Sequence, residues 1–322
     1  MSPARRNLID KHIFYWVKVL LCLALTSFAW VAGIPFLAVP TDTELHWSEI
    51  QHRKSEIAAQ ISGPRFLLVG ASGTFYAIRA DVLQRELHVP TVNLGLQAGF
   101  GLKYLLGRSK MDIRRGDTVL LTVEYGLLKT KPDYTAAALD YIFSVDRAYL
   151  ATLPPEERIS LPMGMSPVRT IGDALKNPGR KRSREDSLRL VGPQGDGLYG
   201  KTPPTPKMLK AIKTPDVFDP KGPDRDGIRA VADYAAWCRR NGVRLILTYP
   251  AYAHLWDVDT AAAHKFLEQM QKDYAAVGVP VVGQPYEYVY DGSWFYDTRY
   301  HLKRQFSEIS TIQRARELAA YF

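Results

Sequence analysis

Phe66-Leu67-Leu68-Val69-Gly70-Ala71-Ser72-Gly73 decides the fold. Four consecutive apolar residues followed by a glycine read as a buried strand. Gly70 and Gly73 bracket one small hydroxyl residue, and a helical stretch follows. A strand that turns into a helix through Gly-x-Ser-Gly puts the serine hydroxyl at the carboxyl edge of a parallel sheet, where α/β proteins hold ligands. Alone, the turn reads equally as an ordinary βα connection, with glycines for backbone freedom and Ser72 as a helix cap. The second reading makes Ser72 a nucleophile, with the first N–H groups of the helix close enough to stabilise negative charge.

Outward from this turn, strand and helix patterns alternate. Strands are predicted at Arg65–Val69, Pro90–Leu94, Asp117–Val123, Val243–Tyr249 and Val279–Val282. Helices are predicted at Thr74–Leu87, Gly99–Lys110, Tyr134–Leu150, Gly227–Asn241, Val258–Ala276 and Leu302–Phe322. Crossovers of this length argue for a doubly wound, flavodoxin-like parallel sheet of five strands with helices on both faces. The pattern lapses over residues 153–226, a Pro- and Arg/Lys-rich insertion. It holds Arg180-Lys181-Arg182-Ser183-Arg184 and Thr202-Pro203-Pro204-Thr205-Pro206-Lys207. Such a run is a solvated surface or a patch for anionic lipid or polymer.

The N-terminal part reads as a membrane anchor. Arg5, Arg6, Lys11 and Lys18 lie in residues 1–18, and Val19–Val39 carries no charge. About twenty apolar residues span a bilayer. The basic flank puts residues 1–18 in the cytoplasm and the chain after Pro40 outside, so an inner-membrane, single-pass protein with a periplasmic domain is expected. A cleaved signal peptide would have a shorter apolar core and a small-x-small site, which Ala29-Trp30-Val31 matches poorly. Residues 40–62 read as a juxtamembrane helix, with Trp47, Ile50, Ile57 and Ile61 as a partial apolar face. The α/β domain is expected over 63–322.

In 322 residues, 42 Lys and Arg against 33 Asp and Glu give a net charge of +9, which favours anionic partners. No zinc-finger spacing or aromatic-basic RNA motif is present, so no nucleic acid is expected. The two cysteines, Cys22 and Cys238, lie far apart and offer no disulfide or metal site. No P-loop Lys-Ser/Thr pair and no acidic ribose ligand stands out, and no cofactor is expected.

Two further stretches bear on Ser72. Asn93-Leu94-Gly95 ends the neighbouring strand, so the Gly95 N–H could join that of Ser72 as an oxyanion donor. Tyr296-Asp297-Thr298-Arg299-Tyr300-His301 follows the last strand. There His301 could take the serine proton and Asp297 could orient its ring. A capping aspartate beside a half-buried histidine is the plainer reading. His254, after another strand end, is the best competing base. Tyr249, Tyr252, Trp256, Trp294 and Tyr300 are core residues or platforms for sugar rings.

Together these stretches resemble the SGNH hydrolase superfamily. Ser72 matches its first block, Gly95 its second and Asp297/His301 its last. The chain looks like the membrane-anchored members that modify cell-surface polymers, such as the alginate O-acetylation proteins and the teichoic-acid D-alanylation protein. The resemblance implies an acyltransferase or esterase acting on acyl esters of a cell-surface polysaccharide, and a membrane-bound acyl donor protein as partner. Three departures stand beside it. Glu124 or Tyr125 occupies the place of the third-block Asn. Asp297 precedes His301 by four residues, where three is usual. Phe306 stands where a glycine often follows the histidine. A catalytically degenerate accessory protein that binds glycan or a partner enzyme is the alternative.

Overall fold

The computed structural model describes residues 3–129, 131, 133–176, 184–198, 204–214 and 218–322. Most of the basic run, Arg180 to Ser183, lies outside them, as do Thr202 and Pro203. The chain divides into two compact units, Met1–Thr41 with Leu139–Arg180, and Asp42–Ala138 with Lys181–Phe322.

The first unit holds a long helix, Pro3–Leu37. Its segment Lys11–Trp30 is long and apolar enough to cross a membrane or to serve as a signal anchor, and none of it is buried. This segment starts eight residues before the expected one. Within the same unit the long helix touches the helix Pro167–Lys176 and the turn Leu161–Gly164. The helix expected over Tyr134–Leu150 is broken: Ala136–Ser144 ends, and Asp146 accepts from the Tyr149 N–H to start Arg147–Thr152.

The second unit is built on five parallel strands: β1 Phe66–Gly70, β2 Thr91–Asn93, β3 Thr118–Thr122, β4 Arg244–Thr248 and β6 Val281–Val282. Their order is β2-β1-β3-β4-β6, the flavodoxin-like arrangement. Phe66 aligns with Thr91 on one side and Thr118 on the other. Successive side chains of a strand face opposite ways. Leu67, Val69, Val119, Leu121, Leu245 and Leu247 therefore pack with Leu102, Val231, Phe266 and Met270 on one face. Phe66, Leu68, Leu120 and Ile246 pack with Leu83, Ala315 and Leu318 on the other. Two short strands outside this sheet, β5 Tyr252–His254 and β7 Val289–Asp291, pair in parallel. The sequence carried no sign of that pair.

The starts of β1 and β3 are clasped by a buried ion pair. Arg65 donates from Nη2 to Asp117 Oδ2 at 2.6 Å and from Nε to Oδ1 at 3.1 Å. It also donates to the carbonyls of Ala58 and Asp112. Through Ala58 it holds the helix Asp42–Gln60, whose Trp47, Ile50, Ile57 and Ala58 are buried. This helix is thus part of the second unit's core.

One expected helix, Thr74–Leu87, is two. Ser72–Ala77 ends, Ile78 and Arg79 are extended, and Ala80–Leu87 follows. A break inside the core frees backbone groups that need partners. Asn93 Nδ2 donates to the carbonyls of Thr74 and Ile78, each at 2.9 Å. The Asp196 carboxylate accepts from the N–H groups of Ala80 at 2.7 Å and Asp81 at 3.1 Å. Asp196 comes from the expected insertion, which is more than surface here. The Asn93 N–H donates to the Gln194 carbonyl at 2.8 Å, and the Gly197 N–H to the Phe75 carbonyl at 3.0 Å. Gly195 has φ +84°, and a Cβ there would meet the Asn93 carbonyl oxygen at 2.6 Å. Only glycine lets this segment approach so closely.

Candidate active site

After β1 the chain crosses to β2 on one side, and it returns to β3 on the other. The crevice outside the carboxyl ends of β1 and β3 is therefore the switch point at which such sheets bind ligands. Ser72 lies two residues beyond β1 and Glu124 two beyond β3. Both are buried. The Gly73 N–H donates to Glu124 Oε1 at 2.6 Å, and Ser72 Oγ donates to the same oxygen at 3.4 Å. The first is a strong charge-assisted bond and the second a long one. Glu124 thus sets a hydrogen-bond acceptor beside Ser72. Tyr125 turns away into the core, its ring against Phe218, Tyr252, Phe266 and Tyr300. Burial raises its hydroxyl's pKa well above the usual tyrosine range.

The last stretch reaches the same helix. His301 Nδ1 and Asp297 Oδ1 are 2.8 Å apart, with both side chains mostly buried. An Nδ1–H held by a carboxylate makes Nε2 the acceptor nitrogen of the ring. The His301 ring lies 4.6 Å from that of Tyr76. Tyr76 is one helical turn after Ser72, on the same helix face. A methyl group on Gly73 would stand 3.2 Å from Tyr300 Cβ. Tyr76 ionises less readily than a free tyrosine because it is buried and lies near Asp297. His254 is elsewhere, in an exposed pair with Asp259 at 3.2 Å.

The Gly95 region differs from expectation. Its N–H donates to Asn93 Oδ1 at 2.9 Å. A Cβ at Gly95 would meet Phe75 N at 2.7 Å and Ala71 O at 2.9 Å. The glycine thus serves the close approach of two chain segments, with its N–H engaged locally. Asn93 spends its amide on Thr74, Ile78 and Asp196, so it braces the turn below Ser72.

Two supporting residues escaped the sequence reading. Lys54 is fully buried, donates from Nζ to the Gly95 carbonyl and lies 3.8 Å from the Phe75 ring centre. Burial pushes its pKa well below the usual lysine value, against a smaller opposing pull from Asp196. Lys54 sits in step with the apolar positions 47, 50, 57 and 61, a position that would ordinarily be apolar, and that was its legible sign. Asp196 is raised to about 6, chiefly by burial. Its only sequence sign was the flanking Gly195 and Gly197, which mark a turn and no more.

Of the aromatic residues, Tyr249, Tyr252 and Tyr300 are core. Tyr252 donates to Asp257 and accepts from Arg299 at 2.6 Å. Trp294 is stacked between Tyr290 and Phe306, and Trp256 is exposed.

No family model matches the chain, and no curated protein matches it. Among solved structures, the chain shows a likeness to one from Desulfitobacterium hafniense DCB-2, provisionally named a lipolytic protein of the G-D-S-L family. It is 12% identical, with a TM-score of 0.39, over 79% of this chain and 99% of the other. A likeness of that grade decides neither fold nor activity, and the fold stands on the strand order.

Proposed function

We propose that the chain is an extracytoplasmic SGNH hydrolase-like acyltransferase or esterase acting on acyl, chiefly acetyl, esters of a cell-surface polysaccharide. The observation that carries this reading is the buried His301–Asp297 pair packed through Tyr76 on the helix that Ser72 opens. Ser72 Oγ attacks the ester carbonyl and its proton passes to His301 Nε2. The tetrahedral intermediate collapses, the alkoxide leaves with that proton, and the acyl group remains on Ser72. A sugar hydroxyl or water then attacks, giving transfer or hydrolysis. The apolar N-terminal helix anchors the protein in the inner membrane, with residues 1–18 cytoplasmic, and a membrane-bound protein supplies the acyl group.

A serine-directed phosphonate should label the full-length, membrane-embedded protein at Ser72. Ser72→Ala should abolish labelling and His301→Ala should reduce it by about 10²-fold or more. Cells carrying either variant should lose acylation of the polymer. Full acylation in the Ser72→Ala strain overturns the proposal.

A second reading, a non-catalytic accessory protein that binds glycan or a partner enzyme, is favoured by one observation. The Gly73 and Gly95 N–H groups are both engaged by the protein's own side chains. Glycan binding without labelling is the result that selects it.

A further inference from the structure

The first unit displays an apolar helix face beside the candidate span. In Pro167–Lys176, Val168, Ile171 and Leu175 are exposed, Val168 at 84% and Leu175 at 77%. At 100° per residue these three fall within about 60° of the helix circumference. Thr170, on the far side, is buried. Arg169 and Lys176 lie along one flank of the stripe, with Arg169 Nε 2.7 Å from Asp140. The preceding turn adds Met163, 70% exposed, and the helix Pro155–Ser160 adds Ile159. Pro167–Lys176 and the turn both touch the Pro3–Leu37 helix within the same compact unit.

We infer that Pro167–Lys176 is an interfacial helix that lies on the bilayer surface next to the span, with Val168, Ile171 and Leu175 in the acyl-chain boundary and Arg169 and Lys176 at the headgroups. Three observations choose lipid as the occupant. The face adjoins a helix of membrane-spanning length and composition, so the two apolar surfaces share one solvent. The stripe is narrow, with Arg169 and Lys176 along one side of it, the pattern of a helix lying in the interface. The sequence directly after it supplies Arg180, Lys181, Arg182 and Arg184, a cluster suited to anionic headgroups. An exposed apolar stripe of this kind is otherwise an aggregation liability in water. The inference rests on the membrane-span part of the proposed function and uses none of the Ser72 chemistry.

The test uses the full-length protein in phosphatidylcholine vesicles, with and without phosphatidylglycerol. A single cysteine in a Cys22→Ser background carries an environment-sensitive fluorophore at Val168, Ile171, Leu175 or Asp173, Cys238 being buried. Labels at the three stripe positions should emit to the blue and be quenched by lipids with a spin label near the headgroup. They should also be quenched by aqueous iodide several-fold less than the Asp173 label. Phosphatidylglycerol should strengthen the lipid quenching. Ile171→Glu with Leu175→Glu, both exposed sites, should return the Val168 label to water without altering the circular dichroism. Equal iodide quenching at all four positions overturns the inference. So does shielding from both quenchers, which identifies a protein partner. A label at Leu23 reports the span separately: if it too is in water, the anchor reading has failed, whereas lipid at Leu23 with water at the stripe fails the interfacial helix alone.

Discussion

A carboxylate 3.4 Å from a serine hydroxyl can hold the hydroxyl in place or oppose the charge that forms when it attacks. Negative charge developing beside Glu124 would be repelled, while the Gly73 N–H that could stabilise it is already donated to that carboxylate. Glu124→Gln keeps the shape, removes the charge and weakens the bond to Gly73. Phosphonate labelling of Ser72 should then speed up about tenfold, a gain of roughly 1.4 kcal/mol. Slower labelling would mean that Glu124 assists the serine. Asp196 offers a second residue-scale test. Its carboxyl is raised to about 6, above the ordinary value near 3.9 of the unfolded chain. The folded protein therefore binds this proton more tightly. The resulting stability is fully present below about pH 4 and is lost as pH rises through about 6, a change of at most about 3 kcal/mol. Asp196→Asn removes this titration, so its destabilising cost in urea melts should be larger at pH 4.5 than at pH 7.

The elements were legible where a short-range signal exists. The apolar runs of β1, β3 and β4 identified themselves, and Gly or Pro marked their ends. The split between Ser72–Ala77 and Ala80–Leu87 was hidden because the groups that satisfy it, Asn93 and Asp196, lie far along the chain. Phe75, Ile78, Val82 and Leu83 keep a helical rhythm across the break. The β5–β7 ladder was hidden for a like reason, since three-residue strands show no period. The clasp at the strand starts gives the prediction at this scale. Asp117→Asn leaves Arg65 buried and charged without its partner, which should cost about 3–5 kcal/mol in urea unfolding. Arg65→Met should cost less than Arg65→Ala, because its methylenes retain packing.

For the molecule as a whole, the sequence disclosed the parallel sheet and its flavodoxin-like order, with Ser72 just beyond the carboxyl end of β1. It did not disclose what Glu124, Asn93 and Lys54 do there, since each role depends on a contact between distant segments. The N-terminal helix makes a test at this scale. The protein should stay in the membrane pellet after alkaline carbonate extraction, and a phosphatase fused after Phe322 should be active only if that end is extracytoplasmic. Release by carbonate would remove the anchor.

The bond from Lys54 to the Gly95 carbonyl also bears on how the chain could be shed. Together with the hold of Arg65 on Ala58, it makes Asp42–Gln60 part of the second unit's own interior. A cut between Ala38 and Thr41 would leave that unit's floor intact, with residues 139–180 as its remaining link to the first unit. A cut only some twenty residues later would take away the cation beneath Gly95 and Phe75 and leave a fragment that unfolds.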